Sequence, residues 1–105
     1  MTLGLRVHPA AEAEIDEAVA YLNARTRGAG AGFLRAVGIA LLRAQRSPRL
    51  GSPVMTRRSS VEIRRVPVRP HDYQAVYAVH DDHIVVLAVA HNRREPLYWA
   101  NRVAE

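Results

Sequence analysis

A run of seven apolar residues, Ile84 to Ala90, constrains the fold more than any other segment of the chain. Its sequence, Ile-Val-Val-Leu-Ala-Val-Ala, is apolar at both parities, whereas a strand with one solvated face alternates between apolar and polar residues. The run is far shorter than the roughly 20 residues of a membrane-spanning helix. We therefore predict a strand over residues 83–91 that lies in the interior of a sheet and is covered on both faces.

Two further strand-like segments, residues 61–69 and 73–80, precede this run at close spacing. Asp81 and Asp82 separate the second segment from the third and predict a tight turn, so these two strands should pair as a hairpin. The connection over residues 47–60 contains two prolines and a glycine, which predict an irregular course. The three segments together predict an antiparallel meander.

The first strand of the meander carries two irregularities. Pro67 has no N–H to donate to a neighbouring strand, which predicts that this strand lies at an edge of the sheet. The apolar alternation also changes parity between Ile63 and Val66. A change of parity within one strand predicts a β-bulge, here near Arg64 and Arg65.

The N-terminal half predicts a short strand over residues 3–8 and two helices, over residues about 10–26 and 31–46. The acidic residues of the first helix are scattered around it, which predicts solvated faces and capping: Glu12, Glu14, Asp16 and Glu17. The core face of the second helix should consist of Phe33, Val37, Ala40, Leu41 and Ala44. The whole chain, residues 1–105, therefore predicts one α+β domain in which an N-terminal strand and a helical hairpin precede a three-stranded antiparallel meander. The helices should pack on one face of the small sheet.

Charge and composition narrow the classes of partner. Fifteen arginines and no lysine oppose ten acidic residues, which gives a net charge of +5. Guanidinium groups suit phosphate and carboxylate, so a basic domain of this size predicts an acidic partner, the alternative being a merely solvated basic surface. The absence of cysteine excludes disulfides, thiolate metal sites and a cysteine nucleophile. The N-terminal residues have no apolar core of signal-peptide length, so we expect a cytoplasmic protein.

Leu34 and Leu42 form a second apolar stripe on the second helix, separated by the small Gly38. This stripe is more apolar than a solvated face requires. Two interpretations stay open, a broad core face or a groove for a partner helix.

The order and the local sequence of these segments resemble the RelE/ParE superfamily of toxins from type II toxin–antitoxin systems. Residues 11–22 resemble the first helix of that superfamily, and residues 33–51 resemble its second helix and the loop that follows. Residues 61–66, 73–77 and 84–91 are similar to its terminal meander. The closing segment, Arg93-Arg94-Glu95-Pro96-Leu97-Tyr98-Trp99, resembles the tail of members named ParE. The resemblance covers almost the whole chain and implies a toxin held inactive by a cognate antitoxin.

The superfamily divides over its target. RelE-like members cleave messenger RNA on the ribosome, whereas ParE-like members inhibit DNA gyrase. RelE-like toxins typically supply an arginine just after the tyrosine that opens the second meander strand, and this chain has Gln74 after Tyr73. Gln74 can donate a hydrogen bond to a phosphate but cannot neutralise it, so the resemblance favours a ParE-like, non-enzymatic gyrase inhibitor. Growth inhibition and plasmid stabilisation would follow from that activity.

Two other activities stay open at this point. The chain could be a ribosome-dependent endoribonuclease of the RelE type, or a degenerate member that binds an antitoxin and little else. In a nuclease, His91 would be the candidate base, Tyr98 would orient the substrate, and Arg65 and Arg94 would neutralise the scissile phosphate. The structural alternatives are a strand-end hydrogen bond for His91 and packing of the C-terminal segment for Tyr98.

The surface residues fall into two predicted binding sets. The candidates for binding the target are Arg64, Arg65, Arg69, Gln74, Arg93 and Arg94, which we expect to project to one side of the sheet. Leu34 and Leu42 are the candidates for binding the antitoxin, whose tail we expect to be acidic, partly disordered and folded on binding. The other expected partner is DNA gyrase, or the ribosome and messenger RNA in the alternative, and no membrane.

The sequence gives no signal for a metal or a cofactor. His80 and His83 flank the predicted turn without an evident third ligand, so we expect exposed turn residues and no metal site. The glycines of residues 28–32 lack the lysine of a phosphate-binding loop. We therefore expect no cofactor.

Overall fold

The computed structural model describes residues 2–56 and 60–103. It confirms the α+β order. The elements are β1 (Gly4–Val7), α1 (Pro9–Arg25), α2 (Ala29–Arg46), a short 3₁₀ helix (Pro48–Leu50), β2 (Ser52–Pro53), β3 (Glu62–Pro67), β4 (Tyr73–Val79), β5 (His83–His91) and a second 3₁₀ helix (Ala100–Arg102).

The five strands form one mixed sheet in the order β1-β5-β4-β3-β2. β1 pairs parallel with β5, whereas the remaining neighbours are antiparallel. β5 lies between β1 and β4 and is buried on both faces, which confirms the interior position predicted from its apolar run. β2 was not predicted, because it consists of two residues within the connection expected to be irregular.

The edge position predicted for β3 is wrong, since β2 pairs with its residues Arg64 and Arg65. Pro67 lies beyond this pairing. The Val68 N–H donates to the Tyr73 carbonyl at 2.9 Å, and N–H groups alternate in direction along an antiparallel strand, so the Pro67 nitrogen points away from β4. The missing donor of Pro67 therefore faces a side where β2 has already ended, and no ladder hydrogen bond is lost.

The bulge predicted near Arg64 and Arg65 is also wrong, because β3 pairs with β4 in continuous register. The register shift lies between β4 and β5 instead, where Leu87 is the additional residue. β3 changes its apolar parity for another reason. Ile63 packs in a cluster on one face of the sheet and Val66 in a cluster on the opposite face, so both faces are covered.

The two helices cover one face of the sheet, as predicted. Pro9 opens α1, and the His8 side chain caps it by accepting a hydrogen bond from the Ala10 N–H at 3.0 Å. Gly28 has a φ of 82°, which favours glycine, and it lets the chain reverse before α2. The predicted core face of α2 is confirmed, since Phe33, Val37, Ala40, Leu41 and Ala44 are all buried.

The opposite face of the sheet is covered by the C-terminal segment, residues 93–103. Trp99 is buried against Ile63, Val76 and Leu87 in a second cluster. The sheet is therefore enclosed between two layers, which explains why β5 is apolar at both parities. Across the described residues, no helix is both long enough and apolar enough to span a membrane.

Candidate functional site

Glu14 joins α1 to β5 and to the C-terminal segment, so its prediction as a solvated residue is wrong. Its carboxylate accepts hydrogen bonds from the Tyr98 hydroxyl at 2.6 Å and from the Val89 N–H at 3.1 Å. β1 ends at Val7 and pairs with β5 only up to Val86, so no strand lies beside Val89 on that side. The Glu14 carboxylate therefore accepts the Val89 N–H hydrogen bond in place of a backbone carbonyl of a longer β1.

Arg102 completes this arrangement. Its guanidinium lies 3.0 Å from the Glu14 carboxylate and donates a second bond, at 2.9 Å, to the Leu87 carbonyl. The Glu14 and Arg102 side chains are only 12% and 15% exposed. Burial and the hydrogen bond to Glu14 raise the pKa of Tyr98. The Tyr98 hydroxyl therefore holds the C-terminal segment in place, as the packing alternative expects, and is committed to a protein acceptor.

A cleft lies between the C-terminal segment and the sheet on the face away from the helices. Two adjoining hollows of 140 and 300 Å³ share Arg65, Gln74 and Asn92 in their walls, and Arg94 lines the smaller one. We call the space formed by these two hollows the C-terminal cleft, and we discuss four of its side chains: Arg65, Gln74, Asn92 and Arg94. Asn92 was not among the predicted site residues, because nothing in its local sequence distinguishes it from a strand-end turn residue.

The C-terminal cleft presents two guanidinium groups and two amides. Arg65 is exposed on β3, and the guanidinium carbon of Arg94 lies 4.0 Å from the centre of the Tyr98 ring. Stacking on an aromatic ring holds a guanidinium without consuming its in-plane donors. Among the described residues that line the cleft, Glu95 is the one with an acidic side chain. The arrangement suits an anionic group such as a phosphate or a carboxylate.

Arg64 does not belong to the cleft, because neighbouring residues of a regular strand point to opposite faces. Its guanidinium donates to the carbonyl of Gly51 at 2.8 Å and to that of Arg49 at 3.2 Å. Its Nε also lies 2.7 Å from Glu62, and this hydrogen bond lowers the pKa of Glu62. The nearby Tyr77 hydroxyl donates to the Pro48 carbonyl at 2.5 Å. Arg64 therefore fastens the chain leading into β2.

Arg69 and Arg93 are both exposed, and neither lines the cleft. Arg69 follows β3 and lines a groove on the helical face of the sheet. The Arg93 N–H donates to Nδ1 of His91 at 3.1 Å. The structure thus brings Arg65, Gln74 and Arg94 together but not Arg64, Arg69 or Arg93, so the expectation that all would project to one side is not met.

His91 lies on the face opposite the cleft. It pairs with Tyr73, and the two rings meet edge to face with centroids 5.2 Å apart. It lines a separate hollow with Tyr21, His71 and Asp72 on the helical side. A general base must reach the proton that it removes, at hydrogen-bond distance or through one water. The Arg94 N–H donates to the His91 carbonyl at 2.9 Å, but the His91 side chain lines a different hollow from Arg65 and Arg94. The three side chains therefore do not share one hollow.

A second surface lies between α2 and β3. This groove, which we call the α2 groove, has a volume of 210 Å³ and is lined by Ala36, Ile39, Ala40, Arg43, Ala44, Ser47, Leu50, Val66, Pro67 and Arg69. Ile39 and Leu50 are 50% and 77% exposed, so apolar surface remains uncovered. The groove was not predicted, although the spacing of Ala36, Ile39 and Arg43 on one flank of the helix could have indicated it.

Leu34 and Leu42 are 53% and 42% exposed. Neither belongs to the core, which excludes the broad core face as an interpretation of the second stripe. Neither of them lines the α2 groove. At 100° per residue, Leu42 lies about 60° around the helix from Ile39 and Leu34 about 140° from it, so exposed apolar surface continues from the groove around the solvent side of α2.

The turn between β4 and β5 carries the two histidines considered as metal ligands. The His80 and His83 rings stack with centroids 4.7 Å apart, and His83 Nδ1 lies 2.7 Å from the Asp82 carboxylate. Within residues 2–56 and 60–103, no group of three or more histidine, cysteine or acidic residues is placed to hold a metal ion.

Comparison with known families gives one result that agrees with this fold. The family described as the ParE toxin of the type II toxin–antitoxin system parDE matches residues 5–96. This match runs from within β1 through β5 and ends in the first part of the C-terminal segment, at residue 96. The chain belongs to the ParE toxin family. A search among curated proteins found no match.

Membership in the ParE toxin family confirms the favoured branch of the superfamily. The protein is a ParE-like toxin of a type II toxin–antitoxin system, and the family implies an antitoxin as its partner. Nothing in the comparisons supports the RelE-like nuclease. The placement of His91 away from the arginine pair agrees with that result.

Proposed function

We propose that this ParE-family toxin inhibits DNA gyrase in the cytoplasm without a catalytic step, by binding through the C-terminal cleft. The observation that carries the proposal is the position of Arg65 and Arg94 in one cleft while His91 lies on the opposite face of the sheet. Such a site can bind an anionic group, and its described lining contains no histidine to act as the base for cutting RNA. Growth inhibition and stabilisation of a plasmid that encodes the pair follow from inhibition of gyrase.

The chemistry of the cleft agrees with a target that contains DNA. Gyrase acts on DNA, so a phosphate or an acidic side chain is within reach of a toxin bound to the complex. Two guanidinium groups with two amides provide charge-assisted and neutral donors for one such anion. Gln74 fits this binding role, because a binding site needs donors around the anion and not a cation at every position.

We also propose that the antitoxin binds α2, with an acidic amphipathic helix in the α2 groove. The walls of the groove are apolar, and its described charged residues, Arg43 and Arg69, are both basic. An apolar stripe with an acidic flank complements that surface. Leu34 and Leu42, on the solvent side of α2 beside the groove, remain candidates for contact with a longer antitoxin segment that wraps the helical hairpin.

A supercoiling assay with purified gyrase tests the proposed target. The wild-type toxin is expected to block supercoiling, and Arg65→Ala and Arg94→Ala are each expected to weaken the block about tenfold. Arg35→Ala is the matched control, because Arg35 is an exposed arginine of α2 that lines neither surface. Full supercoiling activity in the presence of excess wild-type toxin would contradict the proposal, above all if primer extension shows cleaved transcripts.

The antitoxin surfaces are tested separately, by titrating the antitoxin against variants of α2. Ile39→Asp places a charge in the groove and should reduce the affinity at least a hundredfold while the fold persists, since Ile39 is already half exposed. The double variant Leu34→Asp and Leu42→Asp removes about 3–5 kcal/mol of apolar contact if both leucines are covered. Unchanged affinity in either variant removes the residues changed in that variant from the interface.

A further inference from the structure

A third hollow lies on the helical side of the sheet, where β4 begins and β5 ends. It has a volume of 360 Å³ and is lined by Tyr21, Leu22, His71, Asp72, Tyr73 and His91. Sites for small molecules commonly have volumes of about 300–1,000 Å³. This space, which we call the aromatic hollow, shares none of its described lining with the α2 groove or the C-terminal cleft, and the proposed function gives it no role.

Four of the six lining side chains carry rings, and contacts between rings fix the orientation of three of them. The buried Phe33 meets His71 and Tyr73 edge to face, with centroids 5.1 and 4.8 Å away. The Tyr73 and His91 rings meet at 76°, so one forms a floor and the other a wall. Rings that are held in advance lose little freedom when a flat ligand stacks on them, which favours binding.

Charged groups of both signs surround these rings. Asp72 is the acidic residue of the described lining, and its carboxylate has no hydrogen-bond or ion-pair partner among the described residues. The Arg25 guanidinium donates to the Tyr21 hydroxyl at 3.1 Å, and its carbon lies over the Tyr21 ring, 5.5 Å from the centre. Arg25 repels a cationic ligand and attracts an anionic group.

His91 adds a hydrogen-bond donor to the aromatic hollow. Its Nδ1 accepts the Arg93 N–H at 3.1 Å, so the neutral ring carries its proton on Nε2. The hollow therefore combines flat rings, a carboxylate acceptor, an imidazole donor and a nearby guanidinium. A nucleotide matches these four groups with its base, the amino group of the base, a base carbonyl and its phosphate.

We propose that the aromatic hollow binds a nucleotide whose base carries an amino group on its Watson–Crick edge, which is the case for cytosine, adenine and guanine. The base stacks on the rings of the hollow, its amino group donates to Asp72, and its phosphate lies toward Arg25. Uracil and thymine bind less well, because they present a carbonyl where cytosine presents the amino group, and a carbonyl cannot donate to the carboxylate.

This chemistry has two possible sources, a free nucleotide and an unpaired nucleotide of single-stranded DNA. The aromatic hollow and the C-terminal cleft have separate linings. The inference therefore does not depend on the proposed target, and a toxin that fails to block supercoiling leaves it untouched.

Titration of the purified toxin with dCMP and dUMP tests the site, because the two nucleotides differ only at the base edge that meets Asp72. The ring protons of His71 and His91 report binding by NMR. We expect dCMP to shift both signals and to bind about tenfold more tightly than dUMP. The preference should fall below about twofold in Asp72→Asn. Asp81→Asn is the matched control at an exposed turn outside the hollow, and it should keep the preference.

Tyr21 provides a second test, and its variants should fold because the side chain is 54% exposed. Tyr21→Ala should weaken the binding of dCMP at least about fivefold, whereas Tyr21→Phe keeps the ring and should retain most of the affinity. Circular dichroism checks the fold of each variant.

Two results of the titrations would overturn the inference outright. One is the absence of any shift of His71 and His91 at millimolar dCMP, and the other is equal affinity of the wild type for dCMP and dUMP. Loss of dCMP binding in Arg65→Ala but not in Tyr21→Ala would overturn it as well, because the nucleotide would then lie in the C-terminal cleft.

A short single-stranded oligonucleotide of deoxycytidine identifies the source of the nucleotide. If the oligonucleotide binds more tightly than dCMP and loses that advantage in Tyr21→Ala, the hollow takes a nucleotide of DNA. If dCMP binds at least as tightly as the oligonucleotide, the hollow takes a free nucleotide. Both results support the site.

Discussion

Replacing Glu14 with alanine should destabilise the protein far more than its sequence context suggests. Glu14 lies in an acidic stretch of α1 that predicts a solvated helix face, yet its carboxylate accepts hydrogen bonds from Tyr98, Val89 and Arg102. The truncation leaves the Arg102 guanidinium without a counter-ion at 15% exposure and leaves two further donors without an acceptor. Removing one partner of a buried ion pair costs about 3–5 kcal/mol.

The lower end of that range applies, because both side chains retain some exposure. A loss of about 3 kcal/mol lowers the melting temperature of a chain of this size by about 12–24 °C. Thermal unfolding followed by circular dichroism measures the change. Glu17→Ala is the matched control, since Glu17 is exposed on the same helix and its removal should change stability by less than about 0.5 kcal/mol.

The reasoning fails if Glu14→Ala unfolds within 0.5 kcal/mol of Glu17→Ala. Such a result would mean that the carboxylate contributes no more than a solvated one, and that the apolar contacts of Trp99 alone hold the C-terminal segment on the sheet. Hydrogen exchange at the Val89 amide gives a second, local measurement. Its protection should fall in Glu14→Ala and remain in Glu17→Ala.

Three further predictions follow from the surfaces of the protein. Gln74→Arg should produce no transcript cleavage by primer extension, because an added cation is not a base and the described lining of the cleft contains no histidine. Newly cleaved transcripts would count against a non-catalytic toxin. Arg64→Ala should lower the free energy of unfolding by about 1–3 kcal/mol in urea, because its donors hold two carbonyls and a carboxylate, whereas an unchanged midpoint would show that these bonds contribute nothing. In the folded state the pKa of Glu62 lies below its ordinary value of 4.5. The ionised Glu62 carboxylate therefore stabilises the fold above pH 4.5, and this stabilisation should be lost as the pH falls through the lowered pKa. The free energy of unfolding should accordingly depend less on acid pH in Glu62→Gln.

The elements governed by local periodicity could be predicted from the sequence. The spacing of apolar residues in α2 identified the five residues of its core face, all of which are buried. The apolar run of β5 likewise indicated an interior strand, because a strand that is covered on both faces buries every side chain along its length. These predictions need only the geometry of one element and the free energy of burying apolar surface.

The features that failed depend on residues far apart in the chain. Glu14 meets Tyr98 across 84 residues, and no local pattern marks one carboxylate among four as the buried one. β2 has two residues and no periodicity, so only its pairing with β3 defines it. A bulge was expected at Arg64 and Arg65 because the apolar residues change parity there. The same change arises without a bulge when both faces of β3 are covered, since Ile63 is then buried on one face and Val66 on the other.

The candidate site was predicted in part for the same reason. Arg65, Gln74 and Arg94 follow from strand ends and the basic tail, and the structure brings them into one cleft. His91 was grouped with them because it also lies at a strand end. Its parity on β5 is fixed by the extra residue at Leu87, and this placement on the opposite face appears only in three dimensions.

Expression of the toxin in growing cells tests most directly whether it acts through the C-terminal cleft without catalysis. We predict that His91→Ala still arrests growth, with gyrase-dependent DNA breaks and intact transcripts, whereas the double variant Arg65→Ala and Arg94→Ala permits growth although the folded protein accumulates. Loss of both toxicity and transcript cleavage in His91→Ala, with full toxicity in the double arginine variant, would contradict the account.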